Sequence, residues 1–143
     1  MLRRMDFQAG VTLLELLLVV TLLGILGAIA VPSYRNYAQR ANERAALADI
    51  GSLQLELYRW ELNTGSFPET LAEAGLDGRL DPWGRTYRYL NIATATPGQV
   101  RKDRNLVPIN TDFDLYSTGQ DGASQPPLTA QASRDDIVRA NNG

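Results

Sequence analysis

The sequence contains no cysteine and no histidine among its 143 residues. Without cysteine there are no disulfides and no thiolate metal sites, so packing, hydrogen bonds or an oxygen-bound metal must hold the fold together. Without histidine the commonest general base, the Ser-His-Asp triad and nearly all zinc sites are absent, which leaves carboxylates, tyrosines and a single lysine, Lys102, as titratable groups. The formal charge of −2 is close to neutral. These features argue against an enzyme, and no nucleic-acid partner is expected.

A long apolar run occupies residues 11–31 and contains one charged residue, Glu15, near its start. As a helix rising about 1.5 Å per residue, the run would measure about 31 Å, close to the thickness of a bilayer's hydrocarbon core. A carboxylate at the bilayer centre costs on the order of 2.5–3.5 kcal/mol, and such residues usually have a partner or a function. The run can therefore span a membrane, and Glu15 requires an explanation.

Three interpretations of this N-terminus are open. A secretory signal peptide would be cleaved at Ala28-Ile29-Ala30, which has the Ala-x-Ala pattern of such sites. Against this, the run is longer than a typical apolar region of such peptides and contains an acid. A plain membrane anchor would place Glu15 at the interface. Cleavage after Gly10 would instead free an amine on Val11, four residues before Glu15 and on the same helix face, where it can neutralise the carboxylate.

The segment after the run predicts an amphipathic continuation of the helix. Pro32 withholds a backbone N–H, so a kink or brief break is expected there. Residues 34–48 are rich in alanine and suit close contact with neighbouring subunits. An apolar stripe at helical spacing then predicts packing against a small sheet; it consists of Ile50, Leu53, Leu57 and Trp60.

Short elements follow the long helix and indicate an α+β fold. Gly65 suits the C-cap of the helix, and Asp-Pro-Trp-Gly at 81–84 predicts a turn. The pattern predicts a short helix over 68–75 and a three-stranded antiparallel sheet laid on the exposed half of the long helix. The predicted strands are residues 86–90, 99–101 and 113–117.

The N-terminal motif consists of a short basic leader ending at Gly10, the residues Val-Thr-Leu-Leu-Glu at 11–15, and the apolar run. It resembles the class III signal peptide of type IV pilins and of the pseudopilins of type II secretion. The resemblance implies that a prepilin peptidase cuts after Gly10 and methylates the new N-terminal residue, which is Val11 here and normally Phe in the family. It also implies that Glu15 pairs with the N-terminal amine of a neighbouring subunit during filament assembly.

The C-terminal part carries a second set of candidate residues, all with hard oxygen donors on irregular backbone: Ser117, Asp121, Asp135 and Asp136. Calcium takes 6–8 oxygen ligands and tolerates uneven geometry. The spacing alone fits equally a turn at 121–122 and carboxylates that are solvated or cap a helix over 137–140.

Several motifs in this half resemble the major pseudopilins of type II secretion: residues 81–84, 87–90, 114–117 and 119–122, with an Asp-Ile pair near the end. The resemblance implies one calcium ion in the C-terminal loop, which would stabilise a head too small to hold a large core. Carried over by position, the ligands are the Leu115 carbonyl, Ser117, Asp121 and Asp136, with Asp135 as a substitute. Segments 101–110 and 123–134 depart from the family's pattern.

The resemblance implies a domain order of a cleaved leader (1–10), a transmembrane and filament-core helix (11–31), its amphipathic continuation (32–62) and a globular head (63–143). It implies a single-pass protein of the bacterial inner membrane with its C-terminal domain in the periplasm. It also implies a homopolymer formed through the N-terminal helices, with prepilin peptidase, minor pseudopilins and an inner-membrane assembly platform as further partners.

The expected function is that of a structural subunit, without enzymatic activity, in a periplasmic pseudopilus that pushes folded proteins through the outer membrane. The alternative within the superfamily is a major or minor type IV pilin serving adhesion, DNA uptake or motility. An alternative of another class is a membrane-anchored carboxylate enzyme or binding module that uses Asp121, Asp135 and Asp136.

Overall fold

The computed structural model of the chain describes residues 10–104 and 107–143. The predicted leader, apart from Gly10, lies outside the described residues. The chain divides between Gln39 and Arg40 into two compact units.

One long helix, α1, runs from Leu13–Thr64. It begins after Thr12, whose side-chain Oγ1 accepts the backbone N–H of Glu15 at 3.2 Å, as an N-cap residue does. It ends at Gly65, which has φ +84° and donates its N–H to the Glu61 carbonyl at 2.7 Å, so the predicted glycine C-cap is confirmed. Pro32 lies inside the helix without interrupting it, and a kink at that residue stays a prediction.

The main sheet is antiparallel and has three strands in the order β1, β4, β5. These are β1 (Arg88–Asn91), β4 (Phe113–Ser117) and β5 (Ile137–Val138). A separate two-stranded ribbon pairs β2 (Lys102–Asp103) with β3 (Val107–Pro108). In the main sheet Tyr89 lies opposite Leu115, and Ser117 lies opposite Ile137. The predicted antiparallel sheet and the α+β class are confirmed.

The prediction of a helix over 68–75 is wrong, because the segment forms turns. The Pro68 carbonyl accepts the Tyr89 hydroxyl at 2.7 Å. The Glu69 N–H donates to the side chain of Glu73 at 2.7 Å, and the Glu73 N–H donates to Thr70 Oγ1. Side chains thus take up the backbone groups at the start of the segment.

The predicted strand at 99–101 is also wrong: a strand begins one residue later, and it belongs to the ribbon. The third strand of the main sheet is β5, in the segment where a helix over 137–140 was one of the expectations. The central strand β4 is buried along most of its length and needs a partner on each edge. The segment around 137–138 supplies the second partner, and the Arg139 N–H donates to the Leu115 carbonyl at 2.9 Å.

The core of the C-terminal unit joins α1 to the sheet, as the apolar stripe predicts. Trp60, the last member of the stripe, is only partly buried. The Phe113 ring lies 4.9 Å from the Phe67 ring and 5.9 Å from the Tyr58 ring, in edge-to-face contacts typical of aromatic cores. The buried apolar residues of this core are Ile50, Leu53, Leu57, Leu71, Leu76, Tyr87, Phe113 and Leu115.

Candidate functional site

The first candidate site is the N-terminal part of α1, where apolar side chains are exposed all around the helix. Every leucine, isoleucine and valine from Val11 to Val31 is exposed, the least of them, Val19, by 48%. Among the described residues, α1 is the one helix long and apolar enough to cross a membrane. An apolar surface of this extent marks a membrane or a protein interface.

Glu15 lies in the first turn of this helix, and its side chain is exposed. A carboxylate in that position is stabilised by the unsatisfied N–H groups at the helix N-terminus. Sequence reasoning missed the role of Thr12, although Thr-x-x-Glu at 12–15 is the signature of a capping box. The cap fixes where the helix begins, three residues after Gly10, and thereby fixes Glu15 in its first turn.

The second candidate site is the C-terminal tail, and its most buried acid is Asp136. The Asp136 side chain is 0% exposed and forms an ion pair with Arg101, whose side chain is 3% exposed. Asp136 Oδ2 also accepts the Ser124 hydroxyl at 2.7 Å. This carboxylate therefore already has a positively charged partner from the protein.

The other two predicted carboxylates contact backbone groups. Asp135 Oδ2 accepts the Asp121 N–H at 2.9 Å, and Asp121 Oδ1 accepts the Ala123 N–H at 2.7 Å. Asp121 is exposed, and Asp135 is partly buried. The two residues are in contact where the turn at Asp121 approaches Asp135. Both side chains accept backbone N–H groups, as Asp side chains that stabilise loops commonly do.

Ser117 and Leu115 lie on β4 and are buried. The Ser117 hydroxyl donates to Asp81 Oδ2 at 2.6 Å and accepts the Gly119 N–H at 3.2 Å. The Leu115 carbonyl accepts the Arg139 N–H. Asp81 itself organises the predicted turn, since its Oδ1 accepts the N–H of Arg85 at 2.8 Å.

As arranged, these donors do not fit a calcium ion. Within the described ranges no group of three or more acidic residues is placed to hold a metal. Asp136 Oδ1 is a buried oxygen without a hydrogen-bond partner, but it belongs to the carboxylate already paired with Arg101. A calcium ion needs 6–8 oxygens, and a guanidinium beside it would repel it. Calcium binding stays a prediction.

Three arginines hold the tail, and sequence reasoning missed all of them as structural residues. Arg101 is one; its position at the start of a segment that departs from the family's pattern was the available signal. Arg85 donates to the carbonyls of Gly119 and Gln120, the latter at 3.0 Å. The third is Arg139, the residue that follows β5. The residues that Arg139 contacts are distant from it in the chain, so spacing in the sequence does not reveal these contacts.

Arg139 forms a bidentate pair with Asp112, with hydrogen bonds of 2.7 and 2.8 Å, and donates to the Tyr58 hydroxyl at 2.8 Å. Burial alone would raise the pKa of Asp112, but the hydrogen bonds and charge of Arg139 outweigh it and lower that pKa. Burial raises the pKa of Tyr58, and the neighbouring Asp112 adds to the effect. Burial also raises the pKa of Asp114, against the hydrogen bonds that it accepts from the Arg101 N–H and the Asn110 side chain.

An exposed apolar helix that starts at a cap and continues into the core of a small α+β head defines the pilin-like class of filament subunits. Residues 5–31 match the family model described as "Prokaryotic N-terminal methylation motif". The chain belongs to the family of the type II secretion system core protein G, a family of structural subunits, and the alternative of a carboxylate enzyme is wrong.

Type II secretion system core protein G of Aeromonas hydrophila is 30% identical, over 80% of this chain and 85% of its own length. The protein of the same name from Vibrio cholerae is 30% identical, over 85% of this chain and 88% of its own length. Type IV major pilin protein PilE of Neisseria gonorrhoeae is 29% identical, over 94% of this chain and 83% of its own length. No solved structure matches the chain.

Proposed function

We propose that the chain is the major subunit of a pseudopilus, a filament that acts in the export of folded proteins through the outer membrane. The observation that carries the proposal is the exposed apolar helix segment that lies within the matched N-terminal methylation motif. A prepilin peptidase cuts after Gly10 and methylates Val11, and the trimmed subunit leaves the membrane for the filament.

The apolar helix supports both states of such a subunit. Its side chains are stable in lipid, and they are equally stable when the helices of neighbouring copies enclose them. Either environment removes apolar surface from water, which stabilises the chain by about 25 cal/mol per Å². Glu15 adds selectivity. Its carboxylate is costly in lipid and is neutralised by the Val11 amine of an adjacent copy, so the subunit gains more from the filament than an apolar helix alone would.

The expected environment follows from the same role. The chain crosses the inner membrane once and carries its head in the periplasm, where it meets minor pseudopilins and the inner-membrane assembly platform. The names of the relatives support a secretion system, and the single candidate span within the described residues supports a single-pass anchor.

A type IV pilin is the second candidate, and the identity with PilE, which extends over 94% of this chain, is the observation that favours it. Both candidates share processing and helix packing. They are distinguished by deleting the gene and scoring export of folded proteins and surface filaments separately. Loss of export with no loss of long surface filaments supports the pseudopilus, and the reverse supports the pilin.

The processing step is tested by the intact mass of the purified protein. We expect a chain that starts at Val11 and carries one added methyl group. The variant Gly10→Val should stay uncut, because the added branched side chain obstructs access to the bond after residue 10. The space around Gly10 is open, so the substitution should not disturb the fold.

Gly24→Ala is the matched control for processing. Gly24 lies in the same run and also has open space where a Cβ would stand, so this variant should be cut and methylated normally. A wild-type chain that starts at Met1 or after Ala30 would contradict the proposal.

A further inference from the structure

A buried guanidinium occupies the region in which the tail carboxylate Asp136 is held. Arg101 is 2% exposed as a residue, and the Cζ atom of its guanidinium lies over the Tyr116 ring, 4.2 Å from the ring centroid. Contact with an aromatic face and the charge of Asp136 both stabilise a guanidinium removed from water. This arginine therefore sits in a place built for a positive charge.

The contacts of Arg101 reach several parts of the tail at once. One terminal nitrogen, Nη2, pairs with Asp136, and the other, Nη1, donates to Ser124 Oγ and to the Gln125 carbonyl, the latter at 2.8 Å. The Ser124 hydroxyl closes the ring of contacts by donating to Asp136. A single side chain thus collects a carboxylate, a hydroxyl and a carbonyl oxygen, which are the donor types that a bound cation would collect.

The backbone of the same segment continues the attachment. The Arg101 N–H donates to Asp114 Oδ2 at 2.6 Å, which ties the segment to β4. The Lys102 N–H and carbonyl bond to Pro126 and Leu128, each at 3.0 Å. The guanidinium and its flanking backbone therefore join the central strand to the loop at 123–134.

Charge decides which cation this site accepts. The Asp136 side chain is fully buried, and a buried carboxylate needs one compensating partner. Arg101 supplies that partner from the chain itself, so the compensation does not depend on a dissolved ion. A divalent cation at Asp136 Oδ2 would have to displace the guanidinium and leave that charge buried without a partner, and a cation at Oδ1 would be repelled by the guanidinium beside the same carboxylate.

We propose that Arg101 is the resident cation of the tail, in place of the calcium ion that the family resemblance implies, and that the head keeps its fold without calcium. The inference concerns the stability of the head and does not rest on the proposed filament function. Its readout is thermal unfolding, whereas the filament function is read from processing and assembly.

The first experiment measures the melting temperature of the full mature wild-type chain in detergent, by near-ultraviolet circular dichroism, in EGTA and in about 5 mM calcium. We expect the same melting temperature in both conditions. A calcium site with the affinity usual for extracellular modules would raise it by about 4 °C or more, and that result would overturn the proposal.

The second experiment replaces the guanidinium. Arg101→Met keeps much of the side chain's length and removes its charge, and it should lower the melting temperature by roughly 12 °C or more in EGTA, since it leaves Asp136 buried without a partner. Arg88→Met is the matched control because Arg88 is exposed on β1, and it should shift the melting temperature by less than about 4 °C.

The double variant Arg101→Met with Asp136→Leu keeps the test decisive if the single variant does not fold. Removing both charges replaces the ion pair by apolar groups, so the double variant should recover most of the lost melting temperature. A double variant as unstable as Arg101→Met alone would show that the two residues do not act as a pair and would overturn the proposal.

Discussion

At the scale of the residue, the head lacks the disulfides that stabilise many small domains, and buried arginines join its segments. Arg101 and Arg139 are nearly fully buried, and each reaches a carboxylate and at least one backbone carbonyl through its two terminal nitrogens. A guanidinium offers five N–H donors in a fixed plane, so one residue can satisfy oxygens from several segments. Removing one partner leaves the other charge buried, which makes these pairs sensitive to single substitutions.

The pair of Arg139 and Asp112 predicts a dependence of stability on pH. The pKa of Asp112 is lowered from 3.8 in the folded state, so its contribution is present above pH 3.8 and is lost as the pH falls through the folded pKa. Asp112→Asn should lower the free energy of unfolding at pH 7 by about 2 kcal/mol, and the difference from wild type should shrink below pH 3.8. Urea unfolding of both proteins at several pH values measures it.

Asp103→Asn serves as the control for this series, because the Asp103 side chain is exposed on β2. It should leave the unfolding free energy within about 0.5 kcal/mol of wild type at every pH. A difference between wild type and Asp112→Asn that stays constant from pH 7 to pH 2 would contradict the role assigned to the Asp112 charge.

At the scale of the element, the tail turn at 118–122 depends on the close approach of two backbone segments. Gly119 has φ +60°, and a Cβ at this residue would collide with the carbonyl group of Asp135. The Arg85 guanidinium holds the same turn through the carbonyls of Gly119 and Gln120. The turn is therefore held between Asp135 and Arg85, and it cannot shift to accommodate a side chain at residue 119 without losing the contacts of Arg85.

Gly119→Ala should lower the free energy of unfolding by at least about 2 kcal/mol, because it adds both an unfavourable backbone conformation and an overlap with Asp135. Chemical denaturation followed by tryptophan fluorescence measures the change. Gly98→Ala is the control, since Gly98 has open space around its Cβ position, and it should change stability by no more than about 0.5 kcal/mol. Equal effects of the two substitutions would refute the close approach.

The elements also show where sequence reasoning succeeds. The strand at 113–117 was predicted with its observed bounds, because alternation and the flanking turn residues are local signals. Strand β5 has two residues, too few for a periodic pattern, and it is defined by its pairing with β4. The segment at 68–75 has the sequence signals of a helix, but the hydroxyl of Tyr89, which is distant in the chain, donates to the carbonyl of its first residue, Pro68.

The two candidate sites also differ in how far the sequence predicts them. The N-terminal segment was readable because leader, cap and apolar run are contiguous, although Thr12 was overlooked within them. The environment of Asp136 was not readable, since its partner Arg101 lies 35 positions away and only the fold brings them together. Local motifs can be read from spacing, whereas the charge balance of a buried residue needs the structure.

At the scale of the whole molecule, the chain combines two kinds of surface. The N-terminal part of α1 exposes its apolar side chains, and the head encloses its own core. The first surface is stable only in lipid or against other copies, while the second needs no partner. Substitutions in the first should therefore affect assembly, and substitutions in the second should affect folding.

Glu15→Gln should leave the head folded and abolish filaments, because the neutral amide keeps the size of the side chain and loses its attraction to an N-terminal amine. Electron microscopy of assembled fibres, together with the melting temperature of the head, measures both effects. The control is Glu61→Gln, near the C-terminal end of the same helix, which should assemble normally. Normal fibres from Glu15→Gln would refute the assembly role.

The position of β5 has a consequence for the order of events during biosynthesis. The central strand β4 receives its second edge partner from residues 137–138, and Arg101 receives its counter-charge from residue 136. Both must wait until that stretch of polypeptide has been made. Until then the growing chain has an open sheet edge and an uncompensated guanidinium, so a chaperone that binds unpaired strand edges would find its binding surface during that interval and lose it when the last strand docks.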